Sequence, residues 1–209
     1  TFSEYKAGAL SRTRVKDYAS LPADLQAGAI KAAYDSAKGD YADGTPRYFS
    51  CQTCHMRAVS GNGAGMGSAP TRSDLPLHDQ TGANVWAPDM IPYQDSRGTL
   101  RLGGGLTAEQ IAAIGAGKER TREHLGQAAS LTVNGNTLKV VNLTGHKLIS
   151  GYPEGRRMWL NVKWYGPAGK LLRVDGKYGD LAVSTPGAPA KVRTLLNPYS
   201  PYTRVYEAH

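Results

Sequence analysis

The sequence predicts an α+β protein in two parts: a loop-rich, partly helical region over residues 1–128 and an antiparallel, β-sandwich-like region over residues 129–209. Apolar residues recur at helical spacing in two stretches of the first part, whereas they alternate with a period of two in the second part. The chain also has 25 Gly and 12 Pro among 209 residues, which favours extensive loops. This length suits one mid-sized domain or two small ones.

The first helix is predicted over residues 21–38, after an extended arm or short helix in residues 1–20. Pro22 suits the first turn of a helix because proline has no amide hydrogen to pair there. Asp24 follows close to the positive end of the helix dipole. Gly39 marks the end of the helical pattern.

A second helix is predicted to begin at Thr107 and to end near Gln127. Thr107 and Gln110 have the spacing of a capping box, in which each side chain bonds the other residue's amide. The predicted inner face of this helix consists of Ile111, Ile114 and Leu125.

The second part shows the two-residue period of strands. Residues 138–143 and 158–165 alternate, and a Gly-Pro-Ala-Gly turn at 166–169 leads into a further strand over 171–174. The sequence stops directly after a strand-like run, so a truncated β region is expected.

The motif with the clearest chemistry is Cys51-Gln52-Thr53-Cys54-His55. This is the CxxCH signature of c-type haem attachment, in which two thiols reach one porphyrin and the histidine binds its iron. The chain's only two cysteines both belong to it. The motif therefore predicts one covalently attached haem c.

The tract over residues 47–105 is rich in Gly and Pro and is expected to form a long loop around that cofactor.

Three other interpretations of the motif are weaker. A thioredoxin-like redox pair would follow a strand in a βαβ unit, and no such pattern precedes Cys51. Half of a zinc site would need a second ligand pair at finger spacing, which the sequence lacks. The third interpretation is a chance match, which would have to place both cysteines directly before a histidine by accident.

The iron's remaining axial position decides between electron transfer and catalysis. His78 is the first choice for the distal ligand, because it lies on the tract that is expected to cover the haem, and Asp79 beside it can orient the region. His146 is the second choice, since Gly145 permits close approach of the backbone. Met66 or an open position are the remaining alternatives. The other histidines are expected to be peripheral: His124 on a solvated helix surface and His209 at the mobile terminus.

Two segments extend the argument beyond CxxCH. Cys51 to Met56, followed by Leu77-His78-Asp79-Gln80-Thr81-Gly82, resembles a pattern of the bacterial multihaem c-type cytochrome family. The segment from Asn142 to Trp159, with Thr144-Gly145-His146-Lys147 and Tyr152-Pro153-Glu154-Gly155, resembles a segment before a β-sandwich strand in the same family. The resemblance covers roughly residues 47–175.

The resemblance implies bis-histidine haems and periplasmic or extracellular electron transfer. It implies that His55 is the proximal ligand and that His78 and His146 are distal ligands. The family typically has several attachment motifs, whereas this chain has one. One of the two histidines is then structural or serves a neighbour's haem, and the chain is a fragment of a longer protein or a single-haem subunit.

The sequence thus predicts a c-type cytochrome that carries electrons in the periplasm or outside a bacterial or archaeal cell. The alternatives are a haem enzyme with an open iron, of peroxidase or nitrogen-oxide reductase type, and a haem-bearing structural subunit of an assembly or filament. A net charge of +8 fits docking to acidic redox proteins, including other cytochrome subunits. No basic block or aromatic-basic ladder indicates nucleic acid, and no apolar run is long enough to span a membrane.

Overall fold

The computed structural model describes residues 1–79, 81–101, 103–148, 156–185 and 188–207, which form two compact units, Thr1–Leu148 and Ile149–His209. The α+β class is confirmed, because the described helices lie in the first unit and antiparallel strand pairs occur in both units. No described helix is both long and apolar enough to cross a lipid bilayer.

The first unit contains the helices. Those of α type are α1 (Phe2–Ala7), α2 (Gly28–Ala37), α3 (Cys51–His55), α4 (Ala87–Ser96) and α5 (Ala108–Gly126). Short 3-10 helices span Ala9–Arg12, Val15–Ser20 and Ala23–Leu25. The predicted helix over 21–38 is therefore interrupted between its 3-10 turn and α2. The helix predicted from Thr107 is confirmed as α5.

Two antiparallel strand pairs complete the first unit: β1 (Ala58–Asn62) with β2 (Thr71–Pro76), and β3 (Ala129–Asn134) with β4 (Thr137–Asn142). The expectation of a long loop over 47–105 is therefore wrong for much of that tract, which contains α3, β1, β2 and α4. Residues 63–70 connect β1 and β2. Pro88 lies in the first turn of α4, a position that proline favours.

The core of the first unit lies directly beneath the CxxCH segment. Its buried side chains are Val15, Tyr18, Ile30, Ala33 and Phe49. Cys54 packs against this cluster, so the apolar core supports the helix that carries the motif. Burial of apolar surface is the main stabilising contribution in such a cluster.

The β3-β4 hairpin belongs to the first unit, although the sequence assigned residues from 129 onward to the second part. Backbone bonds explain this: the Ala29 amide donates to Gln127 O and the Leu143 amide donates to Ala128 O, both at 2.9 Å. Leu143 is 2% exposed and contacts α2 at Gly28. The hairpin is thereby joined to α2, and the boundary between units falls after Leu148.

Gly28 is a position where backbone shape and close packing both require glycine. Its φ is +52°, and an added Cβ would lie 2.3 Å from Gln127 O and 2.6 Å from Leu143 Cδ1. Gly28→Ala is expected to lower the free energy of unfolding by about 2–4 kcal/mol, measured by denaturant titration. Gly115→Ala on α5 is the matched control, because nothing lies within 4 Å of its added Cβ. It should raise stability by about 0.5–1 kcal/mol, and equal losses in the two variants would contradict this account.

The described strands of the second unit form three two-stranded antiparallel ladders. They are β5 (Arg157–Trp159) with β10 (Val205–Glu207), β6 (Val162–Tyr165) with β7 (Leu171–Asp175), and β8 (Tyr178–Thr185) with β9 (Ala188–Leu195). The alternating stretch 158–165 is divided between β5 and β6. The division falls beside Gly176, whose φ is +61° and where an added Cβ would lie 2.1 Å from Leu160 O.

Candidate haem site

The CxxCH segment is a one-turn helix with a closed capping box at its start. Ser50 is the N-cap: the Thr53 amide donates to Ser50 Oγ at 3.3 Å, and the Ser50 amide donates to Thr53 Oγ1 at 2.5 Å. Positions three and four apart lie on the same side of a helix. The turn therefore presents Cys51, Cys54 and His55 together, as attachment of one porphyrin requires.

The two cysteines are free thiols, and they differ in exposure. Cys51 is exposed and Cys54 is partly buried against the core. Burial, together with the smaller effect of the nearby Cys51, raises the pKa of the Cys54 thiol to about 11. The described strand pairs are all antiparallel, so no parallel βαβ unit supports the thioredoxin-like interpretation in the described part of the chain.

This difference predicts unequal thiol reactivity in the chain before haem is attached. At pH 8, iodoacetamide should modify Cys54 roughly tenfold or more slowly than Cys51, because the thiolate is the reactive form. Peptide mass spectrometry over time measures both rates. The same reaction in denaturant is the control, in which the rates should converge. Equal rates in the folded chain would show that Cys54 is not protected.

His55 is oriented by a backbone carbonyl. Its Nδ1 lies 2.5 Å from Thr81 O, and the Thr81 amide donates to His55 O at 3.2 Å. A carbonyl can only accept, so Nδ1 carries the hydrogen and Nε2 keeps its lone pair. A second partner that fixes the tautomer in this way is typical of metal-binding histidines.

His146 is held in the same manner, in the turn after β4. Its Nδ1 lies 2.8 Å from Lys147 O, so in the neutral ring Nδ1 donates the hydrogen and the lone pair lies on Nε2. Its own carbonyl accepts from Asn142 Nδ2 at 2.7 Å and from Thr144 Oγ1 at 2.6 Å. Gly145 permits the turn to pack closely, since its added Cβ would lie 3.4 Å from the side chains of Leu10 and Tyr5.

The rings of His55 and His146 lie close together in nearly parallel planes, at a separation that also occurs between two imidazole ligands of one metal ion. Their centroids are 6.3 Å apart and their planes differ by 9°. Two imidazoles on opposite sides of one metal have ring centres about 6–6.5 Å apart, because each metal–nitrogen bond spans about 2.0–2.1 Å and each ring adds about 1 Å. The separation therefore suits axial ligation of a single iron.

A cavity of about 330 Å³ connects these groups. The two cysteines, His55 and His146 all line it, and its remaining lining is mainly apolar. The apolar side chains come from the N-terminal segment, α2, α5 and the turn after β4: Phe2, Tyr5, Leu10, Ala29, Leu125 and Leu148. Tyr5 is fixed there by a 2.6 Å bond from its hydroxyl to Phe49 O. An apolar cavity with a few convergent polar groups is typical of cofactor sites.

The residues present fit a haem better than a bare metal ion. Among the described residues, no three His, Cys, Asp or Glu side chains are arranged to hold a metal directly. A haem iron already has the porphyrin nitrogens and needs only axial ligands from the protein. Two thiols, two nearby imidazoles in nearly parallel planes and apolar walls would together hold such a group.

His78 lies apart from this cavity. It is exposed in the turn after β2, and it does not line the cavity that contains His55. Its neighbour Asp79 is mostly buried and pairs with Arg120, whose Nε lies 2.7 Å from Asp79 Oδ2. The expectation that Asp79 orients this region agrees with that ion pair, whereas His78 as distal ligand stays a prediction without a supporting contact. Met66 is also exposed.

His124 is the site residue that the sequence analysis missed. It lies in the last turn of α5, lines the cavity and has its ring centroid 4.8 Å from that of His55, with the planes tilted by 59°. Burial lowers its pKa most, and His55 and His146 lower it further against the opposing effect of Asp79. The expectation of a solvated surface residue is therefore wrong.

The helical spacing of the partly buried residues of α5 indicates that His124 lies on the inner face of this helix. Ile114, Gly117, Thr121 and His124 are three or four residues apart and are all at least partly buried. Ile111 and Leu125, which were assigned to the inner face with Ile114, are 46% and 42% exposed.

Several predicted residues lie outside the described part of the chain. They are residues 149–155 of the second resembling segment, together with Gln80 and His209. Comparison of the chain with protein-family models, with curated proteins and with solved structures found no match.

Proposed function

We propose that this chain is a c-type cytochrome that carries electrons. Cys51 and Cys54 would form the thioether links, and His55 and His146 would bind the iron, His55 as the proximal ligand and His146 as the distal one. The observation that carries the proposal is the 6.3 Å separation of two nearly parallel imidazoles in the same cavity as both thiols. The haem supplies a one-electron couple between ferrous and ferric iron.

The protein's own contribution is ligation, orientation and exclusion of water. Thr81 O and Lys147 O hold the two histidines in the tautomer that binds metal through Nε2. The apolar walls lower the local polarity, which influences the reduction potential. With both axial positions filled by the protein, no position on the iron is free for a substrate, and this favours electron transfer over catalysis.

The partners proposed are acidic redox proteins, including other cytochrome subunits. The net charge of +8 supports attraction to an acidic surface. We also propose a periplasmic or extracellular location in a bacterium or archaeon, where thioether attachment to an exported chain takes place.

Optical spectra of the purified holoprotein test the electron-carrier assignment. Both redox states should show a six-coordinate, low-spin haem, with no far-red charge-transfer band and no shift on adding carbon monoxide. A high-spin spectrum that shifts with carbon monoxide would instead show an open iron. His124 would then be an acid–base group beside a reactive centre, and the haem-enzyme alternative would replace the electron carrier.

A further inference from the structure

His124 is a third imidazole in the haem cavity, and the proposed ligation does not use it. Its ring centroid lies 4.8 Å from that of His55. In the part of the chain that the structure describes, its ring nitrogens make no hydrogen bond, whereas His55 and His146 each bond a backbone carbonyl through Nδ1. A half-buried imidazole whose ring nitrogens make no hydrogen bond can bind a metal ion through one of them.

His124 would have to move in order to bind the iron opposite His55. That position requires ring centres about 6–6.5 Å apart, as the rings of His55 and His146 are, whereas the rings of His55 and His124 are 4.8 Å apart. No hydrogen bond with a described residue restrains the ring of His124, and rotation between staggered side-chain conformations moves an imidazole by several ångströms. The surrounding wall includes Leu125 and Ala128, and the helix turn itself need not unfold.

We infer that His124 is a reserve distal ligand, which binds the iron whenever His146 leaves it. This inference rests on the proposed function. In the exchange, the bond from iron to His146 breaks and a bond from His124 Nε2 or Nδ1 forms. One neutral imidazole replaces another, so the iron keeps its oxidation state and no proton is transferred. The site thereby stays six-coordinate and closed to small molecules.

Four variants of the full chain, loaded with haem, test this inference: His146→Ala, His124→Ala, the double variant, and His78→Ala as the matched control. The readouts are the haem count per chain, the optical spin state and the ferric EPR spectrum. EPR is informative because the angle between the two imidazole planes sets the splitting of the iron dπ orbitals. Nearly parallel planes and strongly tilted planes therefore give different g values.

The expected result is that all three single variants stay low-spin and only the double variant becomes high-spin. His124→Ala and His78→Ala should keep the wild-type EPR spectrum, since His55 and His146 remain the ligands. His146→Ala should show a changed EPR spectrum, because a ring from α5, tilted by 59° to that of His55 before it moves, replaces a ring that lies within 9° of parallel.

Each contrary outcome has a separate meaning. A high-spin His146→Ala variant with low-spin wild type would overturn the reserve-ligand role and leave the proposed function intact. A low-spin double variant would overturn both His146 and His124 as ligands and return His78 to first place. Wild type without covalent haem would contradict the proposed function itself. If His146→Ala takes up no haem, His146→Gln, which is closer in size to histidine, is read by the same criteria.

Discussion

The double variant Cys51→Ala/Cys54→Ala is expected to retain no haem after extraction with acidified organic solvent, whereas the wild-type chain should retain all of it. The two thiols lie on one helical turn beside the cavity that His55 and His146 line, and they are the chain's only cysteines. Without them, only the proposed bonds from His55 and His146 would hold the haem, and acidified solvent breaks such bonds. The absorbance of the protein and of the solvent phase, measured as the pyridine haemochrome, gives the partition.

Gln52→Ala is the matched control, because Gln52 is exposed on the same turn and belongs to neither attachment nor ligation. It should retain haem like the wild type. Single cysteine variants should keep one thioether and show a pyridine haemochrome shifted to longer wavelength. Covalent haem in the double variant would mean that attachment uses another group, and the site described here would be wrong.

Phe49→Ala is expected to cost about 3–5 kcal/mol in the free energy of unfolding. Phe49 is 0% exposed in the cluster beneath the attachment turn, so truncation leaves a cavity where Val15, Ile30 and Cys54 pack. Its backbone bonds to Thr13 and Tyr5 persist in the variant, and the loss is therefore one of packing. Denaturant titration of wild type and variant, both without haem, measures the difference.

Tyr48→Ala is the comparison for this loss, since Tyr48 is the adjacent aromatic residue and is 46% exposed. Its cost should stay below about 1 kcal/mol. Similar costs at the two positions would mean that the core is not centred on Phe49. The attachment turn would then lack the support that this account gives it.

Elements with strong local signals could be predicted from the sequence. The capping box of Thr107 and Gln110 fixed the start of α5, and both of its hydrogen bonds are present. The turn over 166–169 was predicted from its glycines, and Gly169 has a φ of +72° with the Gly166 amide bonded to Lys170 O. Such features depend on neighbouring residues only, so a short stretch of sequence is enough to predict them.

Features that depend on distant contacts could not be predicted in this way. The buried stripe of α5 includes Gly117 and Thr121, whose small side chains carry little apolar signal. His146 lies near His55 because the turn after β4 packs on Tyr5 and Leu10, a contact that no local pattern shows. Position on the expected covering loop favoured His78, because the sequence shows only which residues are close along the chain, whereas packing decides which are close in space; His78 as distal ligand stays a prediction.

Peptide mapping by tandem mass spectrometry tests the central claim most directly. The chain is produced in a host that attaches c-type haem and is then digested. The expected result is one haem per chain, on the peptide that contains Cys51, Cys54 and His55, with both sulfurs modified. Free thiols or a disulfide on that peptide, in a host that loads a control c-type cytochrome fully, would contradict the claim that this chain binds haem covalently.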